Sequence, residues 1–148
     1  MPHVVTLPRG FVISDDRSLL DLEMIYRFLS TESYWAKGHT REQVEGMIAN
    51  ALPLGLYEPT GQQAGLATVS SAHGAFALLS NVFVLAAWRG NKLGEALVRA
   101  ALHHPQFAAI DLWLLTTNDA HAFYSKFGFT RADPSGPNMV LQRTAGTR

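Results

Sequence analysis

Asn81-Val82-Phe83-Val84-Leu85-Ala86-Ala87-Trp88-Arg89-Gly90-Asn91-Lys92-Leu93-Gly94 is the stretch on which the fold turns. It closes an apolar run over residues 76–85 that suits a buried central strand. The run breaks at Gly90. Leu93, Ala96, Leu97, Ala100 and Ala101 then recur at helical spacing, ending before Pro105. A strand that feeds a helix in this way has a chemical use. The first helical turn has backbone N–H groups without intrahelical partners, and the helix dipole favours negative charge there. Glycine lets that backbone come close to a diphosphate, and Arg89 and Lys92 add positive charge. The stretch lacks both the G-x-x-x-x-G-K-[ST] of a nucleotide loop and the G-x-G-x-x-G of a dinucleotide fold.

On the N-terminal side, residues 10–14 suit a first strand. Residues 18–29 carry Leu19, Leu22, Ile25 and Leu29 at helical recurrence, with Ser18 and Asp21 resembling a capping box. An aromatic loop with Tyr34 and Trp35 leads to a second helix, for which Thr40 and Gln43 form a capping box. Residues 53–58 and 63–71 read as strands around the turn Pro59-Thr60-Gly61. On the C-terminal side, residues 110–116 suit a buried strand. Thr117, Asn118 or Asp119 then caps a helix bearing Ala120, Phe123, Tyr124 and Phe127, which Gly128 ends. Residues 129–131 and 138–142 are short final strands, and residues 144–148 read as a frayed tail. Hairpins combined with helical crossovers predict an α+β fold, a mixed sheet with helices on both faces.

The bulk properties narrow the function. At 148 residues, the chain fits one domain of roughly 100–200 residues. Hydrophobic content of 47% against 16% charged residues reads as globular. Twelve acidic and twelve basic side chains balance, which argues against a nucleic-acid binder and gives no reason to expect a membrane partner. With no cysteine there is no disulfide, thiolate metal site or cysteine nucleophile. No run reaches the roughly 20 apolar residues of a membrane span, and the expected location is cytoplasmic. The six histidines form no ligand set, and no metal is expected.

Two motifs carry a resemblance. Arg89 and Gly94 match the first and last positions of the [Q/R]-x-x-G-x-[G/A] signature of the GNAT N-acetyltransferase superfamily, and Lys92 stands where that family has its inner glycine. Further on, Ala120, Phe123, Tyr124, Lys126, Gly128 and Phe129 match its N-x-x-A-x-x-[FL]-Y-x-[KR]-x-G-F element. Thr117 falls on the asparagine position and Asn118 one residue later. The resemblance spans about residues 11–143. It implies one acetyltransferase domain (core about 10–143) with a six- to seven-stranded mixed sheet whose central strands splay apart. It implies that acetyl-CoA is the co-substrate and that the chain acetylates a primary amine of a small molecule or protein. A non-catalytic acyl-CoA-binding module is the alternative, and a homodimer is within the family's habit.

The resemblance also implies roles. Backbone groups of Val82, Phe83 and Val84 would pair with the pantetheine arm. Arg89, Gly90, Asn91, Lys92, Leu93, Gly94 and Glu95 would hold the pyrophosphate, and Thr117 or Asn118 would touch the cofactor. Tyr124 would protonate the departing thiolate. A phenol of pKa near ~10 keeps its proton at neutral pH and suits that task; the alternative is a core tyrosine packed beside Phe123 and Phe127. Many members place a carboxylate base where this chain has Asn81. The base then lies elsewhere, at Glu32, His73 or Asp111, or the acceptor is a weakly basic amine that needs none. Tyr34 and Trp35, with Asn81, are candidates for the acceptor site, or the two aromatics anchor their loop on the core.

Overall fold

The computed structural model describes residues 1–72 and 74–143. His73 and the tail 144–148, both singled out in the sequence, lie outside the described residues. Eight strands form one sheet in the order β1-β2-β3-β4-β5-β6-β8-β7. These are β1 Val4–Thr6, β2 Val12–Ser14, β3 Leu52–Tyr57, β4 Gln63–Ala72, β5 Phe76–Val84, β6 Leu112–Thr116, β7 Thr130–Arg131 and β8 Asn138–Gln142. The helices are α1 Leu22–Thr31, α2 Arg41–Ala49, α3 Leu93–Leu102 and α4 His121–Ser125. The strand not expected from the sequence is the edge strand β1, which is short and lies largely exposed, so it carries no buried apolar face to mark it. No helix among the described residues is long and apolar enough to cross a membrane.

Local chemistry sets the helix ends. Thr40 and Gln43 form the expected capping box of α2. At α1 the cap lies at Asp21, which accepts from the Met24 N–H, while Ser18 belongs to a preceding 3-10 turn capped by Asp16. Asp16 and Asp21 compete well for exposed helix starts, which moves the boundary past Ser18.

The two faces of the sheet bury different helices. Leu66 and Phe83 pack with Ile25, Phe28, Leu29, Val44 and Ile48 of α1 and α2. Ala67, Val69 and Leu79 pack with Leu97, Val98 and Ala101 of α3, and Tyr124 of α4 joins that same layer. The Phe83 ring stacks on Phe28 with centroids 3.9 Å apart. The C-terminal end of α3 is fastened by buried Arg143, which donates to the Leu102 carbonyl at 2.7 Å and so places a cation at the negative end of the helix dipole.

Two irregularities shape the centre. The pairing of β5 with β6 is parallel and covers only Phe76 to Leu78 against Leu112 to Leu114. Beyond Leu78 the two strands separate, as the resemblance implies for the central strands. On the other edge of β5, the register with β4 shifts between Leu66–Phe83 and Thr68–Ser80. One extra β5 residue is accommodated there, and Asn81 takes a left-handed φ of 52°. A bulge re-aims side chains. Ser80 and Asn81, which are consecutive, therefore both turn toward Thr68.

Candidate active site

The parting of β5 and β6 leaves a crevice of about 340 Å³. Val82, Phe83 and Val84 form one wall, residues 88–90 and 92–95 the floor, and Ala120, Phe123 and Tyr124 the other wall; Asn91, expected among the cofactor contacts, lies outside this lining. The Phe83 side chain is 5% exposed and faces the opposite layer, so only its backbone is available to the crevice. The Leu85 N–H donates to the Ala64 carbonyl at 2.8 Å. By antiparallel alternation, Val84 turns its own backbone groups away from β4. Its carbonyl accepts from the Arg89 Nε–H at 2.9 Å, which folds the loop back onto the strand end.

Within that loop Gly90 has a φ of +88°, and Lys92 takes φ 60° and ψ 23° just before α3. Left-handed backbone costs a side-chain-bearing residue about 1–2 kcal/mol. The chain therefore keeps the glycine trajectory at a lysine, which leaves a positive charge beside the helix start. The Asn91 side chain braces the loop: its Nδ2 donates to the Trp88 carbonyl at 3.0 Å, and its Oδ1 accepts from Arg9 at 3.1 Å. Leu93 is buried, and Gly94 lies where an added Cβ would meet only Phe123, at 3.6 Å. Glu95 accepts from Lys126 Nζ at 3.1 Å, so its carboxylate is paired at the crevice rim.

A second cavity, of about 460 Å³, opens on the far side of Tyr124. Tyr34, Trp35, Asn81, Thr117, Asn118 and Asp119 contribute to its lining. Thr117 and Asn118 thus stand around this cavity and outside the lining of the crevice. The Tyr34 hydroxyl accepts from the Asn118 N–H at 2.8 Å, tying the α1–α2 loop to the β6–α4 turn across the opening. Trp35 Nε1–H donates to Asn81 Oδ1 at 2.9 Å, and Asn81 Nδ2 donates to Thr68 Oγ1 at 3.2 Å. Asn81 is 7% exposed and fully engaged by these bonds.

Val82, Ala120 and Tyr124 line both spaces. Tyr124 is 9% exposed, and no protein hydrogen bond holds its hydroxyl among the described residues. Burial, with contributions from Tyr34 and Asp119, pushes its pKa up to about 12. The phenol is therefore a proton donor across the neutral range and not a base.

Other sequence candidates lie apart. Glu32 is exposed at the C-terminal cap of α1, and Asp111 precedes β6 at the closed end of the strand pair; neither lines a cavity at the splay. Sequence reasoning missed Ser80 and Thr68, whose alignment needs the bulge. It assigned Asp119 only a capping role, although its carboxylate in the turn before the tyrosine helix was visible in the sequence.

Comparisons with known proteins bear on the family and the fold. A family model described as an acetyltransferase (GNAT) domain matches residues 53–131. A solved structure from Xanthomonas campestris pv. campestris, assigned to the GNAT acetyltransferases, is 38% identical. That similarity covers 88% of this chain and 86% of the other, with a TM-score of 0.76. A Mycobacterium tuberculosis protein in complex with CoA shares the fold at 13% identity, over 89% of this chain and 99% of the other, with a TM-score of 0.73. The PaiA N-acetyltransferase of Thermoplasma acidophilum, in complex with coenzyme A, shares it at 17% identity, over 97% and 99%, with a TM-score of 0.63. No curated protein sequence matches the chain.

Proposed function

The chain belongs to the GNAT acetyltransferase family, and we propose that it moves an acetyl group from acetyl-CoA to a primary amine. The observation that carries this reading is the place of Tyr124, on the boundary between the crevice and the second cavity. One space suits the thioester and the other the acceptor, and the group best suited to donate a proton stands between them.

The residues of the crevice fit acetyl-CoA. The edge of β5 beyond Leu78 is free of β6, as an extended amide chain requires. The glycine-like turn at Gly90 and Lys92 delivers the N-terminus of α3, with positive charge, where a diphosphate needs it. Relatives of the same fold have been solved with coenzyme A.

Acetyl-CoA supplies an activated acyl group: a carbon–nitrogen bond to the amine forms as the carbon–sulfur bond breaks, the amine gives up a proton and the sulfur gains one. The backbone of Val82 and Val84 would hold the pantetheine arm. Gly90 to Gly94 would hold the diphosphate, with Lys92 adding charge. Tyr124 would give its proton to the sulfur, and the Trp35–Asn81 pair would shape the acceptor wall. Asn81 is neutral and engaged, so it takes no proton from the amine. Incubation with acetyl-CoA and a panel of amines tests the reading. Amine-dependent release of free thiol is expected. Binding of coenzyme A without any such release would leave a binding module instead.

A further inference from the structure

The second cavity has a chemical bias. Asp119 is the only charged residue among the described residues lining it. It stands where helix-start chemistry would use it as a cap, and it caps nothing. Ala120 occupies the N-cap position of α4 without a side-chain cap bond, and Thr117 Oγ1 instead accepts from the Ala120 N–H at 3.1 Å. No hydrogen bond or ion pair takes up the Asp119 carboxylate among the described residues. It is exposed at the rim, and its charge reaches inward far enough to act on the Tyr124 hydroxyl.

Aromatic side chains share this lining, with the Tyr34 hydroxyl against the turn that carries Asp119. Tyr34 and Trp35 meet edge to face with ring centroids 5.2 Å apart, and both are partly exposed. Leu78, an exposed leucine, and Leu115 extend the apolar lining. A single anionic group in a lining of aromatic and apolar side chains matches an organic ammonium: the charge pairs with the carboxylate, and the carbon skeleton covers the rings. Among the described residues, no Lys, Arg or His lines this cavity. A carboxylate on the acceptor would therefore meet Asp119 with no described cation to offset the repulsion.

We propose that Asp119 makes this cavity selective for cationic aryl- or alkylamines that carry no carboxylate, and against the corresponding α-amino acids. The assignment of this cavity to the acceptor rests on the acetyl-transfer reading; the charge preference rests on the lining alone. Asp119 acts here by recognition, and the carboxylate does not enter the bond-making step.

The test is calorimetric titration of the full chain, saturated with coenzyme A, with 2-phenylethylamine, L-phenylalanine and the neutral 4-methylaniline. Thiol release from acetyl-CoA with the same amines is followed in parallel. Wild type is expected to bind 2-phenylethylamine about tenfold more tightly than phenylalanine. Asp119→Asn and Asp119→Ser should weaken that binding about fivefold, a modest change because the pair is exposed to solvent. They should leave 4-methylaniline unaffected, and coenzyme A affinity reports that the variants are folded. Equal affinity of wild type and Asp119→Asn for 2-phenylethylamine, or equal affinity of wild type for phenylalanine, overturns the inference even if thiol is released. Asp119-dependent binding without thiol release upholds it and overturns the transfer reading. Neither binding nor release overturns both.

Discussion

Trp35 donates its indole N–H to the side-chain carbonyl of Asn81 at 2.9 Å, and this bond stands between two cavities. Both residues line the 460 Å³ space beside Tyr124, and both line a further space of about 420 Å³ between α2 and the sheet. The bond thus lies between the cavity beside Tyr124 and the space that Met47, Asn50, Thr68 and Ser70 also line. Trp35→Phe keeps an aromatic ring and removes the donor. It should lower stability by about 1 kcal/mol, the net value of one hydrogen bond. It should also raise KM for the amine more than it lowers kcat. Urea unfolding and steady-state kinetics read the two effects, and an unchanged amine KM would remove the pair from the acceptor wall.

Tyr124→Phe should lower kcat by about a hundredfold, within the range for loss of a positioned acid, with little change in coenzyme A affinity. Because burial raises the phenol to about 12, its proton remains in place through mildly alkaline conditions. Any fall of rate between pH 8 and pH 10 in the wild type would therefore belong to another group and should persist in the variant. Turnover equal to wild type would give Tyr124 a packing role beside Phe129.

Lys92 separates strain from charge. Lys92→Ala keeps the left-handed backbone and loses the ammonium, while Lys92→Gly loses the ammonium and relieves the strain. Relief of about 1–2 kcal/mol is partly offset by the extra chain entropy of glycine, about 0.5–1 kcal/mol. The glycine variant should thus be about 0.5–1 kcal/mol more stable than the alanine variant by thermal unfolding. Both should bind coenzyme A several-fold more weakly than wild type. Equal affinities in all three would show that the loop holds the diphosphate by backbone alone.

Gly65 keeps β4 close behind the crevice wall. A Cβ added there would lie 2.5 Å from the Phe83 carbonyl and 3.3 Å from Val84 Cα, both backbone atoms of β5. Gly65→Ala should destabilise by about 2 kcal/mol, as overpacking does. Because the strand that must shift carries Val82 and Val84, coenzyme A affinity should fall as well. Gly94→Ala, where the same atom meets only Phe123 at 3.6 Å, should be tolerated in both measurements.

Much of the site was legible before any coordinates. Strand, loop and helix over residues 76–102 announce themselves through a long apolar run, a glycine break and helical spacing, which are local signals. Tyr124 was legible for the same reason, as one face of a short helix closed by Gly128. The cap of α1 was misplaced because Asp16, Ser18 and Asp21 all satisfy the same local rule, and only packing of Ile25, Phe28 and Leu29 on the sheet chooses between them. Strand β1 carries no such signal because it sits at the sheet edge with no buried residue.

Local sequence thus determined which segments are strands and helices, where the glycine turn before α3 lies and which tyrosine follows it, since these depend on residues within a few positions of one another. Tertiary structure alone decided what Asn81, Thr117 and Asp119 do. The β5 bulge turns Asn81 to meet Trp35, 46 positions earlier in the chain. Thr117 takes the turn's hydrogen bond, and Asp119, unpartnered among the described residues, joins Tyr34 and Trp35 of the α1–α2 loop in lining one cavity. Register and loop closure bring distant residues together through long-range packing, and no short window of sequence records that packing.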